Sequence, residues 1–78
     1  MNRKDALKQR KKFLSKNNNV VIPAIVNTES GSYIVNHSPV SIAKLFPNKH
    51  NDNSNLMELD RIEGGSMIIN TNYIISIE

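Results

Sequence analysis

Short runs of branched apolar residues, separated by turn-forming residues, constrain the fold of this chain more than any other feature. Five such runs occur, at residues 20–27, 32–36, 56–62, 66–70 and 73–78. Their Ile, Val and Leu side chains suit the pleated surface of a β-sheet. TESG at residues 28–31 and EGG at residues 63–65 separate pairs of runs and have the composition of tight turns. The pattern therefore predicts two β-hairpins and a closing strand.

The two predicted hairpins share a sequence pattern at an offset of 34 residues. GSYIVN at residues 31–36 is matched by GSMIIN at residues 65–70, and the match extends to Glu29 and Glu63. The offset favours two copies of one hairpin. The copies then diverge, because one continues into a proline-led segment and the other into a strand.

The segment between the hairpins predicts a short helix followed by a loop. In SPVSIAKLFP at residues 38–47, Ser38 is in a capping position, Pro39 is at the first helical position and Pro47 is a stop signal. We expect this helix of about two turns to cover one end of the sheet. NKHNDNSN at residues 48–55 is polar throughout and predicts a surface loop.

Together these elements predict an α+β fold: a basic N-terminal helix, then a small antiparallel sheet or partly open barrel made of two related hairpins with a short helix between them. We expect a single domain, with the basic helix or arm at residues 1–18 and the β-rich body at residues 19–78. Pro23 lacks an N–H group, which predicts an edge strand or a bulge at the first run. The apolar run at residues 73–78 predicts an exposed sheet edge, and hence a homo-oligomer.

Positive charge is concentrated at the start of the chain. The net charge is +3, but residues 1–16 hold seven Lys or Arg and one Asp, for +6, and the other 62 residues carry −3. Such asymmetry indicates an anionic partner. The candidate residues for binding nucleic acid or another anionic partner are Arg3, Lys4, Lys8, Arg10, Lys11, Lys12 and Lys16.

The basic segment predicts a helix over residues 3–16, because Asn2 can cap it, Asp5 lies in the first turn, and neither Gly nor Pro interrupts it. On a helical wheel the five lysines lie opposite a thin apolar stripe that also contains Arg3 and Arg10. Two alternatives remain open. The helix either packs its apolar side chains on the sheet or is a mobile arm that orders on a partner. The apolar side chains are Leu7, Phe13 and Leu14.

Residues typical of catalytic and metal sites are sparse. The chain has no cysteine, which excludes disulfides and Cys-based metal sites. His50 and Asp52 lack a third ligand, His37 suits a turn, and Glu58 with Asp60 suits the solvent face of a strand. We therefore expect a protein that is not an enzyme, without catalytic residues, metal, cofactor or small-molecule substrate.

The remaining features concern location and origin. No segment has the ~20 apolar residues of a membrane span, and no signal-peptide pattern is present, so we expect an intracellular, cytoplasmic protein without a membrane partner.

The abundance of Asn, Ile and Lys is typical of AT-rich bacterial and phage genomes. GGSMIINTNYIISIE at residues 64–78 resembles hairpins in several bacterial families, among them LytTR-type DNA-binding domains and small flagellar regulatory proteins. No function is transferred from this one hairpin.

Two functions compete on these observations. The first is a small regulatory binding protein, of phage or mobile-element origin, whose cationic helix contacts nucleic acid or a nucleoprotein complex. In that function Tyr33 and Tyr73 are candidates for base stacking. The alternative is an inhibitor or adaptor that binds an acidic protein surface and dimerises through a sheet edge, without contacting nucleic acid.

Overall fold

Residues 1–16, 22–45 and 55–78 are described by a computed structural model of the chain. The elements follow the predicted order, with a 3₁₀ helix added before the last strand. They are α1 (Arg3–Lys16), β1 (Ala24–Thr28), β2 (Gly31–Val35), α2 (Pro39–Leu45), β3 (Leu56–Asp60), β4 (Ser66–Asn70), a 3₁₀ helix (Thr71–Tyr73) and β5 (Ile74–Ile77). The predicted α+β class with a small antiparallel sheet is confirmed.

The strands form two antiparallel sheets that meet at one corner. The described residues give one sheet the strand order β2-β1-β5 and the other the order β3-β4. An isolated bridge pairs Val35, at the end of β2, with Arg61, just after β3. Beside it the Asn36 N–H donates to the Asp60 carbonyl at 2.7 Å. The two sheets are thereby joined into the succession β4-β3-β2-β1-β5.

The first strand is central, so the prediction of an edge strand from Pro23 was wrong. β1 pairs with β2 on one side and with β5 on the other. Pro23 lies immediately before the strand, so the ladder does not need its missing N–H, and its carbonyl accepts a hydrogen bond from Arg10 at 3.3 Å. The bulge predicted at Pro23 is also absent from the strand, which begins at Ala24; the pairing of β1 with β5 instead shifts register between Asn27 and Thr28.

The two hairpins differ in register although their sequences match. The turn of the first contains two residues and that of the second contains five. Ile25 therefore lies opposite Ile34, whereas Leu59 lies opposite Met67 and not opposite Ile68, the partner that the offset of 34 residues predicts. The repeat relates two hairpin sequences but does not preserve which side chains face each other across the strands.

One side of the sheets is covered by α2. The side chains alternate along β3, so that Met57 and Leu59 are buried and Leu56 is exposed. Ile42, the buried residue of α2, packs in the same cluster as these side chains. The buried cluster consists of Ala24, Val26, Val35, Ile42, Met57, Leu59 and Ile69.

A second buried cluster lies under α1. Ala6 is fully buried there with Ile25 of β1 and Ile34 of β2, and Leu7 packs against them. Because Ala6 presents only a methyl group, the helix axis lies close to the sheet. The helix is thus docked on the sheet in this structure, in agreement with the first of the two alternatives, and Phe13 is half-buried.

Both helices begin at the predicted capping residues. The Asn2 side chain accepts from the Asp5 N–H at 2.8 Å, and the Ser38 hydroxyl oxygen accepts from the Ser41 N–H at 3.1 Å. Predictions that lie outside the described residues concern the stop signal at Pro47, the loop predicted at residues 48–55 except for its last residue, and the pair His50 and Asp52.

Replacing Gly31 by alanine is expected to destabilise the protein, because the start of β2 is tied to the N-terminal residue. Gly31 has a φ of +142°, and a Cβ atom there would lie 2.9 Å from the Met1 carbonyl oxygen. That oxygen accepts a hydrogen bond from the Ser32 N–H at 2.6 Å. Gly31→Ala should lower the free energy of unfolding by about 1–3 kcal/mol in urea denaturation, through backbone strain and displacement of Met1.

Gly64→Ala is the matched control. Gly64 also has a positive φ, of +103°, but a Cβ atom there would meet no other atom within 4 Å, so this variant carries the backbone strain alone. Gly31→Ala should therefore be the more damaging of the two. Equal losses in the two variants would show that the contact with Met1 adds nothing to stability.

Candidate functional site

The cationic side chains of α1 fall into two groups on opposite faces of the helix. Arg3 and Arg10 are directed at the sheet and make hydrogen bonds to it. The five lysines are exposed, as the helical wheel predicts. We call them the lysine face, and they are Lys4, Lys8, Lys11, Lys12 and Lys16.

Arg3 binds the side chain of Glu78 with two parallel hydrogen bonds. Its Nε donates to Oε2 at 2.6 Å and its Nη2 donates to Oε1 at 2.5 Å. This two-point geometry is the strongest form of arginine–carboxylate contact. The carboxylate also accepts from the Asn27 side-chain amide at 2.7 Å. Glu78 thus connects the first turn of α1 to the central strand.

Arg10 binds backbone atoms from two segments. Its Nη1 donates to the Glu78 carbonyl at 2.9 Å and to the Pro23 carbonyl at 3.3 Å. Glu78 is itself fixed on β1, because its N–H and carbonyl both pair with the backbone of Ile25 at 2.9 Å. Two of the seven predicted anion-binding residues therefore hold the helix against the sheet.

These contacts change the acidity of Glu78. The hydrogen bonds from Arg3 and then from Asn27 hold the pKa of the Glu78 carboxyl at about 2, below its ordinary value of 4.5. In return the carboxylate raises the pKa of the Arg3 guanidinium. The helix contact is therefore charged on both sides at neutral pH.

The lysines of the lysine face form no ion pair with residues 1–16, 22–45 and 55–78, and the exposed Asp5 lies on the same side of the helix. In that part of the chain the ion pair that forms joins Arg3 to Glu78. Lys4 and Lys16 are separated by about 18 Å along the helix, at 1.5 Å per residue. Three of the lysines, with Ser15, line a shallow depression on the outer side of α1. The face is a row of solvated ammonium groups on a fixed helix.

A groove runs between α1 and the residues that follow β3. Two adjoining depressions form it, and both are lined by Gln9, Ile34, Ile62 and Glu63. Met1, Tyr33 and Arg61 line one end, and Lys12 and Phe13 line the other. We call this feature the helix groove. Sequence reasoning missed it, because three segments far apart in the chain form its walls.

The two tyrosines predicted for stacking lie in different places. Tyr33 is on β2, is half-buried and lines the helix groove. Tyr73 is the last residue of the 3₁₀ helix and is 53% exposed. The two rings therefore do not share one surface with the helix groove. Of the two, Tyr33 is the one that lines a groove together with residues of α1.

The other titratable residues considered from the sequence are His37, Glu58 and Asp60. His37 Nε2 accepts a hydrogen bond from the Asp60 N–H at 3.0 Å and lies 3.8 Å from that residue's carboxylate. This long-range pairing was not visible in the sequence. Glu58 and Asp60 are exposed on β3, as expected of a solvent-facing strand side. In the described part of the chain, no three side chains of the metal-ligating types cluster together.

Comparison of the chain with models of protein families, with curated proteins and with solved structures returned no match. Within the described residues, neither helix combines the length and the apolar character needed to cross a membrane. The inference of function therefore depends on the chemistry of the lysine face and the helix groove.

Replacing Glu78 by glutamine is expected to remove an acid-dependent component of stability. A carboxyl whose pKa is lowered by folding contributes stability that is fully present above its unfolded pKa and is lost as the pH falls toward its folded pKa. For Glu78 that window runs from 4.5 down to about 2. Glu78→Gln should be less stable than the natural protein at neutral pH, and the difference should shrink across this window in urea denaturation.

Glu58→Gln is the control, because it removes an exposed carboxylate of β3 that is not part of the Arg3–Glu78 ion pair. Its stability should follow the natural protein across the same pH range. If Glu78→Gln retains the full acid dependence of the natural protein, the contact with Arg3 does not stabilise the docked helix.

Proposed function

We propose that this protein is a small regulatory protein that binds nucleic acid, alone or in a nucleoprotein complex, through the lysine face of α1. One observation carries the proposal. Five exposed lysines without an acidic partner in the described residues lie on one side of a helix whose other side is fixed to the sheet. A row of lysines along one side of a docked helix is suited to the phosphates of a nucleic acid backbone.

The docking of α1 strengthens the electrostatic argument. A helix fixed by Ala6, Arg3 and Arg10 presents its lysines in one arrangement, so binding does not require ordering of the helix backbone. Each phosphate that a lysine neutralises releases condensed counterions. If all five lysines make contact, log K should fall with log salt at a slope of about −3.5 for single strands and about −4.5 for duplex.

The charge of the rest of the chain restricts binding to one side. Outside residues 1–16 the net charge is −3. A polyanion is therefore attracted to the helix and repelled by the remainder, which favours one orientation on the nucleic acid. The lysine face in this arrangement binds phosphates and by itself does not distinguish one base from another.

Substituting two central lysines tests the proposal. Lys8→Gln with Lys11→Gln should lower the magnitude of the salt slope by about 1.4–1.8, because two phosphate contacts are lost. Glutamine has a helix propensity close to that of lysine, so α1 should stay intact. Fluorescence anisotropy of a labelled oligonucleotide, titrated at several salt concentrations, measures the slope.

Lys44→Gln is the control, because it makes the same Lys-to-Gln change once, in the last turn of α2 and away from the lysine face. It should leave the slope almost unchanged. Deletion of residues 1–16 is a poorer test, since it would uncover the buried side chains of Ile25 and Ile34. The proposal is wrong if the intact protein fails to bind single-stranded or duplex nucleic acid at low salt, or if Lys44→Gln weakens binding as much as the double variant.

A second candidate function is supported by the sheet edges. Among the described residues, β4 and β5 each have one edge without a strand partner, and neither strand contains a charged residue or proline. Ile68 of β4 is 66% exposed and Ile75 of β5 is 69% exposed. Uncharged apolar edges favour pairing with another chain. They support the second part of the alternative, in which an inhibitor or adaptor of an acidic protein surface dimerises through a sheet edge.

A charge on β5 tests the dimer. If two copies pair through this edge, Ile75→Lys should convert a dimer into a monomer, because a lysine on an edge strand opposes strand pairing. Light scattering coupled to gel filtration gives the mass. Val40→Lys is the control, because Val40 is equally exposed, at 66%, but lies on α2. A monomeric mass for the natural protein at working concentration would contradict edge dimerisation.

A further inference from the structure

We propose that the helix groove receives an unstacked base of a single-stranded nucleic acid whose phosphates lie along the lysine face. This inference rests on the proposed function and names its ligand class. It would make single strands, and not duplex, the preferred partner. Three features of the groove carry the proposal: its walls, its polar groups and its connection to the lysine face.

The walls of the groove suit a flat aromatic ligand. Ile34 and Ile62 contribute apolar surface to both of its depressions. The ring of Tyr33 lines one end and the ring of Phe13 lines the other. Single-strand binders hold bases between such aromatic and apolar side chains, because every base has a π-face that stacks.

The polar groups of the groove can distinguish one base from another. Gln9 and Glu63 line both depressions, so they border the whole length of the groove. The Gln9 amide both donates and accepts hydrogen bonds, whereas the Glu63 carboxylate only accepts. A carboxylate acceptor pairs with an exocyclic amino group, such as that of cytosine. The groove should therefore prefer cytosine over thymine, which has no amino group.

Lys12 connects the groove to the lysine face. It lines the Phe13 end of the groove and also the outer depression that it shares with Lys8 and Lys11. A phosphate bound at Lys12 thus places its attached base at the mouth of the groove. In a duplex that base is paired and stacked, so it would have to be extruded at a cost of a few kcal/mol. The arrangement therefore favours a single strand.

Tyrosine NMR signals test where the base lies. The chain has two tyrosines and no tryptophan. With carbon-13-labelled tyrosine, Tyr33→Phe and Tyr73→Phe assign the two sets of ring signals. Addition of single-stranded oligo-dC should shift the ring signals of Tyr33 through the ring current of a stacked base. The Tyr73 ring, which does not line the groove, serves as an internal reference in the same sample.

Affinity measurements test the role of each group. Tyr33→Leu keeps apolar volume but loses the ring, and should weaken oligo-dC binding about tenfold, whereas Tyr73→Leu, which removes a ring outside the groove, should bind as the natural protein does. Glu63→Gln should reduce the preference for oligo-dC over oligo-dT. Thermal unfolding of each variant establishes that a loss of binding does not come from a loss of fold.

The outcomes separate the groove from the lysine face. Equal affinity for oligo-dC and for the matched duplex, with unshifted Tyr33 signals, overturns the groove proposal and leaves the lysine face standing. A shift at Tyr33 with full binding by the Lys8→Gln and Lys11→Gln double variant supports the groove and overturns the lysine face. An absence of binding to either strand form at low salt overturns both.

Discussion

The contact of Arg3 and Arg10 with Glu78 sets the orientation of α1, on which the groove and the lysine face both depend. Arg3 is 60% exposed, and surface ion pairs contribute little to stability in general. Apolar contact of Ala6 and Leu7 with Ile25 and Ile34 therefore adds to the stability of the docked helix. The two arginines, seven residues apart on one helix face, fix the rotation of the helix about its axis. That rotation turns the lysines toward solvent and Gln9 toward the groove.

The arginines and the lysines of α1 have different surroundings. Arginine has a planar fork of donors that matches carboxylates and carbonyls, and both arginines of α1 make contacts of that kind. Lysine carries a strongly hydrated point charge on a flexible stem, and all five lysines of α1 remain in solvent. The net charge of residues 1–16 therefore overstates the charge that a partner meets, because Arg3 is already paired with Glu78.

Features set by neighbouring residues were predictable, and features set by long-range packing were not. The caps at Asn2 and Ser38 follow from side chains within three residues of the helix start. The division of α1 into two faces follows from the helical period alone. Pro23 led to the wrong prediction of an edge strand, because the sequence does not reveal that β1 begins one residue after this proline. The helix groove could not be predicted, since it exists only when α1, β2 and the segment after β3 have packed together.

The same helix covers part of the core and carries the proposed binding face, so binding and stability are coupled. If α1 left the sheet, Ile25 and Ile34 would lose their cover and the lysines would lose their fixed spacing. A ligand that binds only the docked helix stabilises the folded chain, by about 2.7 kcal/mol when its concentration is 100 times its Kd. Because the pKa of Glu78 is about 2, the carboxylate that orients the helix stays ionised at neutral pH. The proposed site is therefore formed before its partner arrives, and its affinity is not reduced by the cost of ordering a mobile arm.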